Sequence, residues 1–438
     1  METLVPSAFT TSDAPRASDY TRCIRCGLCL NACPTFRVLG EELDSPRGRI
    51  YQIAQADAGR LPLSDGLRLH LDQCLVCRAC ETACPSGVPY GAIIERARAD
   101  MRATRPLPRW QRWWQSWLLE SLLPNPGRIA FAARLLRIYQ RSGLQTLVRA
   151  AGVLHPLGLA DAERFSPALD GPPFPHRGQT FPAHGTRRAR VIFIPGCAQN
   201  ALLPGLNHAT VRVLRQHGCE VVVPNAFGCC GALHTHAGLR DFARQLARAN
   251  IAALEDVAAD AIISNASGCG AALKEYAELF DHGPEAPAWQ ERARRFSARV
   301  QDATEFLDAL GLRRELLRPI AAVATYQDPC HLAHAQHVRE APRRLLAAIP
   351  GLELREMERS DQCCGSAGIY NLQQPAIAHS LLADREMVIA ATGASLIVTA
   401  NPGCMLQLAR AAGPGQAVRH VLEMLDRSAG ENSPPERE

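Results

Sequence analysis

Lysine is almost missing from this 438-residue chain: of its 48 basic residues only Lys274 is lysine and the rest are arginine, which reflects a GC-rich coding bias and carries no message about fold. No apolar run approaches the ~20 residues that a membrane-spanning helix needs, so no transmembrane helix is expected. The first 22 residues, METLVPSAFTTSDAPRASDYTR, lack both a basic start and an apolar core, and nothing there directs export. The expected location is the cytoplasm, with a peripheral place on the inner face of the cell membrane as the alternative. The net charge of +5 is small for this length and is not organised around aromatic nucleic-acid motifs, which excludes a nucleic-acid partner. There is no G-x-G-x-x-G after a strand, no P-loop and no flavin signature, so no flavin is expected in this chain.

What the chain has is cysteine. Seventeen cysteines in a chain without export features are read as metal ligands, because cytosolic thiols stay reduced. Length gives room for about three domains. Eight cysteines precede residue 85 and nine lie between 197 and 404. Between the two groups, residues 102–149 hold nine Arg and a single acid, Glu120, with Trp110, Trp113, Trp114 and Trp117 spaced to share one helix face. Pro and Gly then cluster from His155 to Arg190, the mark of a linker.

Beyond the linker lies an internal repeat. Cys197, Cys229-Cys230-Gly231 and Cys269 recur as Cys330, Cys363-Cys364-Gly365 and Cys404, at offsets of 133, 134 and 135 residues. Near-constant offsets imply duplicated domains. In each copy a β-rich run leads to the first cysteine (RVIFIPGC, AAVATYQDPC) and another to the last (AIISNASGC, SLIVTANPGC), with helical stretches between. Alternating strands and helices predict parallel sheets with sites at the carboxyl ends of strands.

Cys23, Cys26, Cys29 and Cys33-Pro34, then Cys74, Cys77, Cys80 and Cys84-Pro85, form two C-x2-C-x2-C-x3-C-P runs, the bacterial pattern for [4Fe–4S] clusters. Because the fourth cysteine of such a run serves the other cluster, the expected sets are Cys23, Cys26, Cys29 and Cys84 for one cluster and Cys74, Cys77, Cys80 and Cys33 for the second. Structural zinc, which usually joins a short pair to a distant one, fits two identical four-cysteine runs poorly. The second group of cysteines also reads as metal ligands: Cys197, Cys229, Cys230 and Cys269 for one site, Cys330, Cys363, Cys364 and Cys404 for the other, with iron–sulfur and zinc both open. Cys219 has no counterpart and reads as core.

This layout resembles the glycolate oxidase iron-sulfur subunit family, with GCCGALHTHAG (228–238), SGCGAALKEY (267–276), DPCHLAHAQ (328–336) and CCGSAGIYNL (363–372) carrying the resemblance alongside the ferredoxin runs. The resemblance implies an electron-transfer subunit of a glycolate or other 2-hydroxy-acid oxidoreductase, working with FAD-binding subunits and passing electrons toward a quinone-side acceptor. Its rivals are related CCG proteins: lactate utilisation, anaerobic glycerol-3-phosphate dehydrogenase and heterodisulfide reductase, with a catalytic CCG cluster. The fuller CCG pattern ends in C-x-x-C, whereas here the last positions are Ala272 and Gln407, so each copy has four thiols and holds an ordinary cluster or another metal.

The expected architecture is α+β and α/β in several domains: a helical di-cluster ferredoxin-type unit (1–100), the basic Trp-rich segment and linker (101–185), two duplicated CCG domains (186–318 and 319–427) and a disordered tail (428–438). No residue of the chain is expected to be catalytic. His234, His236, His331, His334 and His337 are read either as hydrogen-bonded structural residues or as ligands or proton carriers near a quinone. The Trp face is left between packing within the chain, a partner subunit and a membrane surface.

Overall fold

The computed structural model describes residues 6–154, 163, 169, 174 and 177–430. The N-terminal unit is helical, and its helices start where the sequence supplies caps. Ser45 accepts from the Gly48 amide at 2.9 Å ahead of the helix Pro46–Asp57, and Ser64 accepts from Leu67 at 3.2 Å ahead of Asp65–Asp72. With Tyr90–Thr104 these helices bury Ile50, Ile53, Leu67, Leu71, Ile93 and Ile94 in one core. The last of them runs past residue 100 to Thr104, and residues 105–108 then separate it from the Trp-rich helix Arg109–Ser116.

Two sheets make up the repeat. The first contains β1 (Thr180–Phe181), β2 (Ala189–Ile194), β3 (Cys219–Val222), β4 (Ala261–Ser264) and β5 (Val300–Asp302), in the order β1-β3-β2-β4-β5. The second contains β6 (Ala322–Gln327), β7 (Leu352–Leu354), β8 (Leu396–Thr399) and β9 (Ala417–His420), in the order β7-β6-β8-β9. Without β1 the two orders are the same, and every pairing is parallel. The apolar runs before the outer cysteines thus become central strands, buried on both faces as parallel sheets require.

Three features depart from the sequence reading. β1 pairs antiparallel with β3, so the first sheet begins inside the stretch read as linker. The two copies also are not separate globules: Val191, Phe193 and Ile263 of the first share one core with Tyr326, Val398 and Leu425 of the second. The final helix, Val421–Ala429, packs on Pro204–Gln216 and extends past residue 427, where the tail was expected to begin; residues 431–438 lie outside the described residues.

His420 links the halves. Its Nδ1 accepts from the Leu422 amide at 3.2 Å, capping the final helix, which leaves Nε2 to donate to the Asn265 carbonyl at 3.1 Å. Burial pushes its imidazole down from 6.5 to about 4. The unfolded chain therefore binds the extra proton first, and stability present above about pH 6.5 is lost as pH falls toward 4, by up to on the order of 3 kcal/mol. Denaturant titrations between pH 7 and pH 5 should show less acid sensitivity in His420→Gln than in the parent; equal slopes would remove His420 as the cause.

Candidate metal centres and their setting

The two ferredoxin-type loops share an uncommon backbone. Arg25 and Gly27 flank Cys26 with φ of 59° and 84°, and Val76 and Arg78 flank Cys77 with φ of 54° and 62°. A left-handed residue on each side of the middle cysteine coils the loop, and for β-branched Val76 this conformation is costly. The same coil recurs at the same place in both loops, so two cysteine runs of one spacing adopt one backbone. Cys29 and Cys80 then begin or enter one-turn helices, and Cys33 precedes Pro34 at the start of the helix Pro34–Leu39.

These loops enclose two cavities. One is lined by Cys23, Cys26, Cys29 and Cys84, the other by Cys33, Cys74 and Cys77, and Cys80 reaches both. All seventeen cysteines are free thiols. Burial pushes Cys77 and Cys80 well above the ordinary thiol range, so without metal they hold their protons, and a soft cation must displace them to bind. Cysteine sulfurs lining each cavity, with no carboxylate or imidazole among the lining residues, fit an iron–sulfur cluster.

In the repeat, β2 and β4 are adjacent parallel strands, and Cys197 and Cys269 follow their carboxyl ends; Cys330 and Cys404 follow β6 and β8 in the same way. The loops after β3 and β7 deliver the adjacent pairs. Cys197 Sγ lies 3.8 Å from Cys229 Sγ, and thiol contacts continue through Cys230 to Cys269. In the second copy Cys330 meets Cys363, which meets Cys364, which meets Cys404. Thiols donating from Cys363 and Cys404 hold Cys364 below its usual range, while Cys363 and Cys404 are pushed up. Gly231 and Gly365 have φ of 85° and 87°, and a Cβ on Gly365 would meet the Ala378 carbonyl oxygen at 2.9 Å, so glycine is needed for the pair to turn inward. Gln407, at the position where the fuller pattern has a fifth thiol, is fully buried and its Nε2 has no protein partner. Cys219 is buried in the shared core.

The sites are not evenly spread. Cys77 packs in one apolar cluster with Cys363 and Cys330, so the second CCG site adjoins the ferredoxin unit directly. The first is set off by ionic contacts: Arg78 binds Glu81 and Glu275, and His236 Nδ1 lies 2.7 Å from Glu95. The histidines have partners of their own. His331 Nε2 bonds the Val76 carbonyl at 2.9 Å, His334 the Asp361 carbonyl at 3.0 Å and His234 the Leu119 carbonyl at 2.6 Å. His337 falls outside the turn that carries His331 and His334, with φ of 57°. Lys274 pairs with Glu305 at 2.7 Å.

Sequence reasoning had no signal for a further group, Asp13, Asp281 and His282, whose ligand atoms lie within 4.8 Å of one another. Arg240 and Arg244 bind Asp13, and Arg16 and Arg96 bind Asp281, so this is an ion-pair network fastening the N-terminus to the first CCG region. Three of the four tryptophans of the basic segment are not packed inside the chain: Trp110, Trp113 and Trp117, from the helix Arg109–Ser116 and the turn after it, are 67%, 71% and 52% exposed, while Trp114 is half-buried. Among the described residues no helix is long and apolar enough to cross a membrane.

Comparison with known proteins agrees with this geometry. Residues 19–88 match a 4Fe-4S dicluster domain, 191–274 and 324–409 match a cysteine-rich domain, and 110–165 match the linker region of the glycolate oxidase iron-sulfur subunit. The chain is 39% identical over 395 residues to a probable glycolate oxidase iron-sulfur subunit of Bacillus subtilis, covering 89% of this chain and 88% of that one. It is 34% identical over 408 residues to the glycolate oxidase iron-sulfur subunit of Escherichia coli, covering 93% of each. Lactate utilization protein A of Shouchella clausii is 32% identical over 237 residues, which is 52% of this chain and 95% of that protein. With two relatives above 30% identity along most of their length, the chain belongs to the glycolate oxidase iron-sulfur subunit family.

Proposed function

We propose that the chain conducts electrons, through clusters held by its ferredoxin-type loops, from a FAD-binding partner that oxidises glycolate or a similar 2-hydroxy acid to a quinone-side acceptor. Family membership carries the iron–sulfur electron-transfer role within a multi-subunit oxidoreductase; the observation that supports this path is the contiguity of the thiol sites. Cys80 lines both ferredoxin cavities, and Cys77 of the second packs against Cys330 and Cys363. Cys23, Cys26, Cys29 and Cys84 would hold one cluster and Cys33, Cys74, Cys77 and Cys80 the other. Each cluster, when bound, accepts and releases one electron at a time. The protein keeps these sites close, excludes water from Cys74, Cys77 and Cys80, and places Arg49 beside the second set to offset thiolate charge.

A hydroxy acid gives up two electrons together, so a flavin on another subunit must divide them. The chain purified anaerobically should contain iron and sulfide but no flavin, and should not reduce an artificial dye with glycolate. Adding the flavoprotein should start turnover. Dye reduction by the metal-loaded chain alone would overturn its role as a conduit.

The two CCG thiol sets are proposed as further metal sites, at least one of them an iron–sulfur cluster. Metal analysis of a folded variant lacking all eight ferredoxin cysteines decides this. Retained iron and sulfide bear it out, zinc alone makes the sites structural, and a metal-free folded protein removes both assignments.

A further inference from the structure

The Trp-rich helix Arg109–Ser116 roofs a cleft of about 380 Å³ between the ferredoxin unit and the two CCG regions. That volume lies within the roughly 300–1,000 Å³ of small-molecule sites. Its floor is the loop Cys74-Leu75-Val76, part of the second proposed cluster site. Trp110 and Trp114 line it from the helix, Tyr370 from the second copy, and Leu233 and His236 from the first. These rings suit a flat apolar body.

The polar groups suit oxygens on that body. Arg68, Arg98 and Arg102 line the cleft against one acid, Asp72, giving an excess of positive charge; Arg98 spends both terminal nitrogens on the His236, Leu71 and Cys74 carbonyls, so the donors come from Arg68 and Arg102, each with one terminal nitrogen already used. Gln115 has its Oε1 taken by Arg102 at 2.8 Å, which leaves its amide nitrogen as a donor. His236 has Nδ1 taken by Glu95, which leaves its other ring nitrogen. A small hydroxy acid fills only a fraction of the cleft volume, and a whole dinucleotide is too large for it. Trp113, next to Trp114 in the helix, and Trp117, at the start of the turn after it, do not line the cleft and are solvent-exposed, which leaves apolar surface on the same segment.

We propose that this cleft binds the headgroup of a lipophilic quinone, with its tail along Trp113 and Trp117, as the acceptor of the electrons the chain carries. The proposal rests on the electron-transfer reading above and locates its exit. Electrons pass singly from the Cys74 side. The quinone takes up two electrons and two protons from water, and its two carbonyl oxygens become hydroxyls. The electrons come from the hydroxy acid, whose C–H and O–H bonds are replaced by the second C–O bond of a carbonyl, releasing two protons.

The test uses the cluster-loaded complex with its flavoprotein. A photoreactive azidobenzoquinone, which needs no turnover, should label peptides from 107–116, 233–237 or 367–374, with excess decylbenzoquinone competing. Trp114→Ala and Ala237→Trp, one opening the cleft and one filling it, should each raise the KM for decylbenzoquinone about tenfold, the equivalent of one lost aromatic contact, with kcat recovered at saturation in Trp114→Ala. Iron counting on each variant establishes that its clusters are present. Label confined to the flavoprotein, no competed label, or an unchanged KM in both variants overturns the proposal. Glycolate-dependent dye reduction by the parent complex reports the conduit reading separately: its absence sinks that reading, while the labelling still decides whether the cleft takes quinone.

Discussion

Cys33→Ser should extinguish the EPR signal of the cluster proposed for Cys74, Cys77 and Cys80, lower iron by about four per chain, and leave intact the signal that Cys23→Ser removes. The reason is the direction the chain takes after Cys29. The one-turn helix Cys29–Ala32 carries Cys33 out of the first loop, and Pro34 then starts a new helix with Cys33 in extended conformation at its cap. There Cys33 is buried, 3.2 Å from Thr35 Oγ1, and lines the cavity of Cys74 and Cys77. Cys84 makes the reciprocal excursion into the cavity of Cys23, Cys26 and Cys29. Redox-resolved EPR of the two variants side by side checks this. A Cys33→Ser spectrum missing the same signal as Cys23→Ser would show that each run serves its own cluster.

Much of the chemistry was legible because cysteine is informative by spacing alone. The β-rich runs ahead of the outer cysteines placed them at strand ends, and β2, β4, β6 and β8 end shortly before Cys197, Cys269, Cys330 and Cys404. The local signals failed where long-range contacts decide. Nothing in RVIFIPGC or AAVATYQDPC says that Phe193 and Tyr326 belong to one core, since each run would bury equally well in a separate domain. The antiparallel β1 is two residues long, too short for a periodic pattern, and exists because β3 offers it a free edge. Val76 and Arg78 in the left-handed region are likewise invisible in sequence, because neither is a residue that favours it.

The duplicated thiol sets are alike in sequence but not in surroundings. The second touches Cys77 through apolar contacts, whereas the first faces Arg78, Glu95, Glu275 and His236. Burial pushes the Glu275 carboxyl up to about 7 despite Arg78 beside it. Contacts of this kind join residues 197 positions apart, as in Arg78 and Glu275, and no window of sequence contains both partners. The repeat carries two thiol sets of one spacing, and the ferredoxin unit, packed against the second through apolar contacts and against the first through charged ones, makes their environments different.

Arg49→Met should cost about 3–5 kcal/mol of stability and lower the midpoint potential of the cluster beside it. Arg49 is 0% exposed, and all three nitrogens of its guanidinium are used: Nε donates to the His70 carbonyl at 2.6 Å, Nη1 to Thr35 Oγ1 at 3.1 Å and Nη2 to Asp44 Oδ1 at 3.3 Å. Methionine fills the space but takes the guanidinium from the buried Asp44, which keeps the contact with His70 Nδ1 at 2.9 Å. An uncompensated buried carboxylate is the larger part of the expected loss. The same guanidinium lines the cavity of Cys33, Cys74 and Cys77, where its positive charge favours the more negative, reduced state of whatever the thiolates hold. Arg49→Lys separates the two effects, because it keeps the charge and gives up the planar fork. It should lose part of the stability and keep most of the potential, read by thermal melts of the loaded chain and by EPR-monitored redox titration. Equal potentials in the Met, Lys and parent proteins would confine Arg49 to holding the fold.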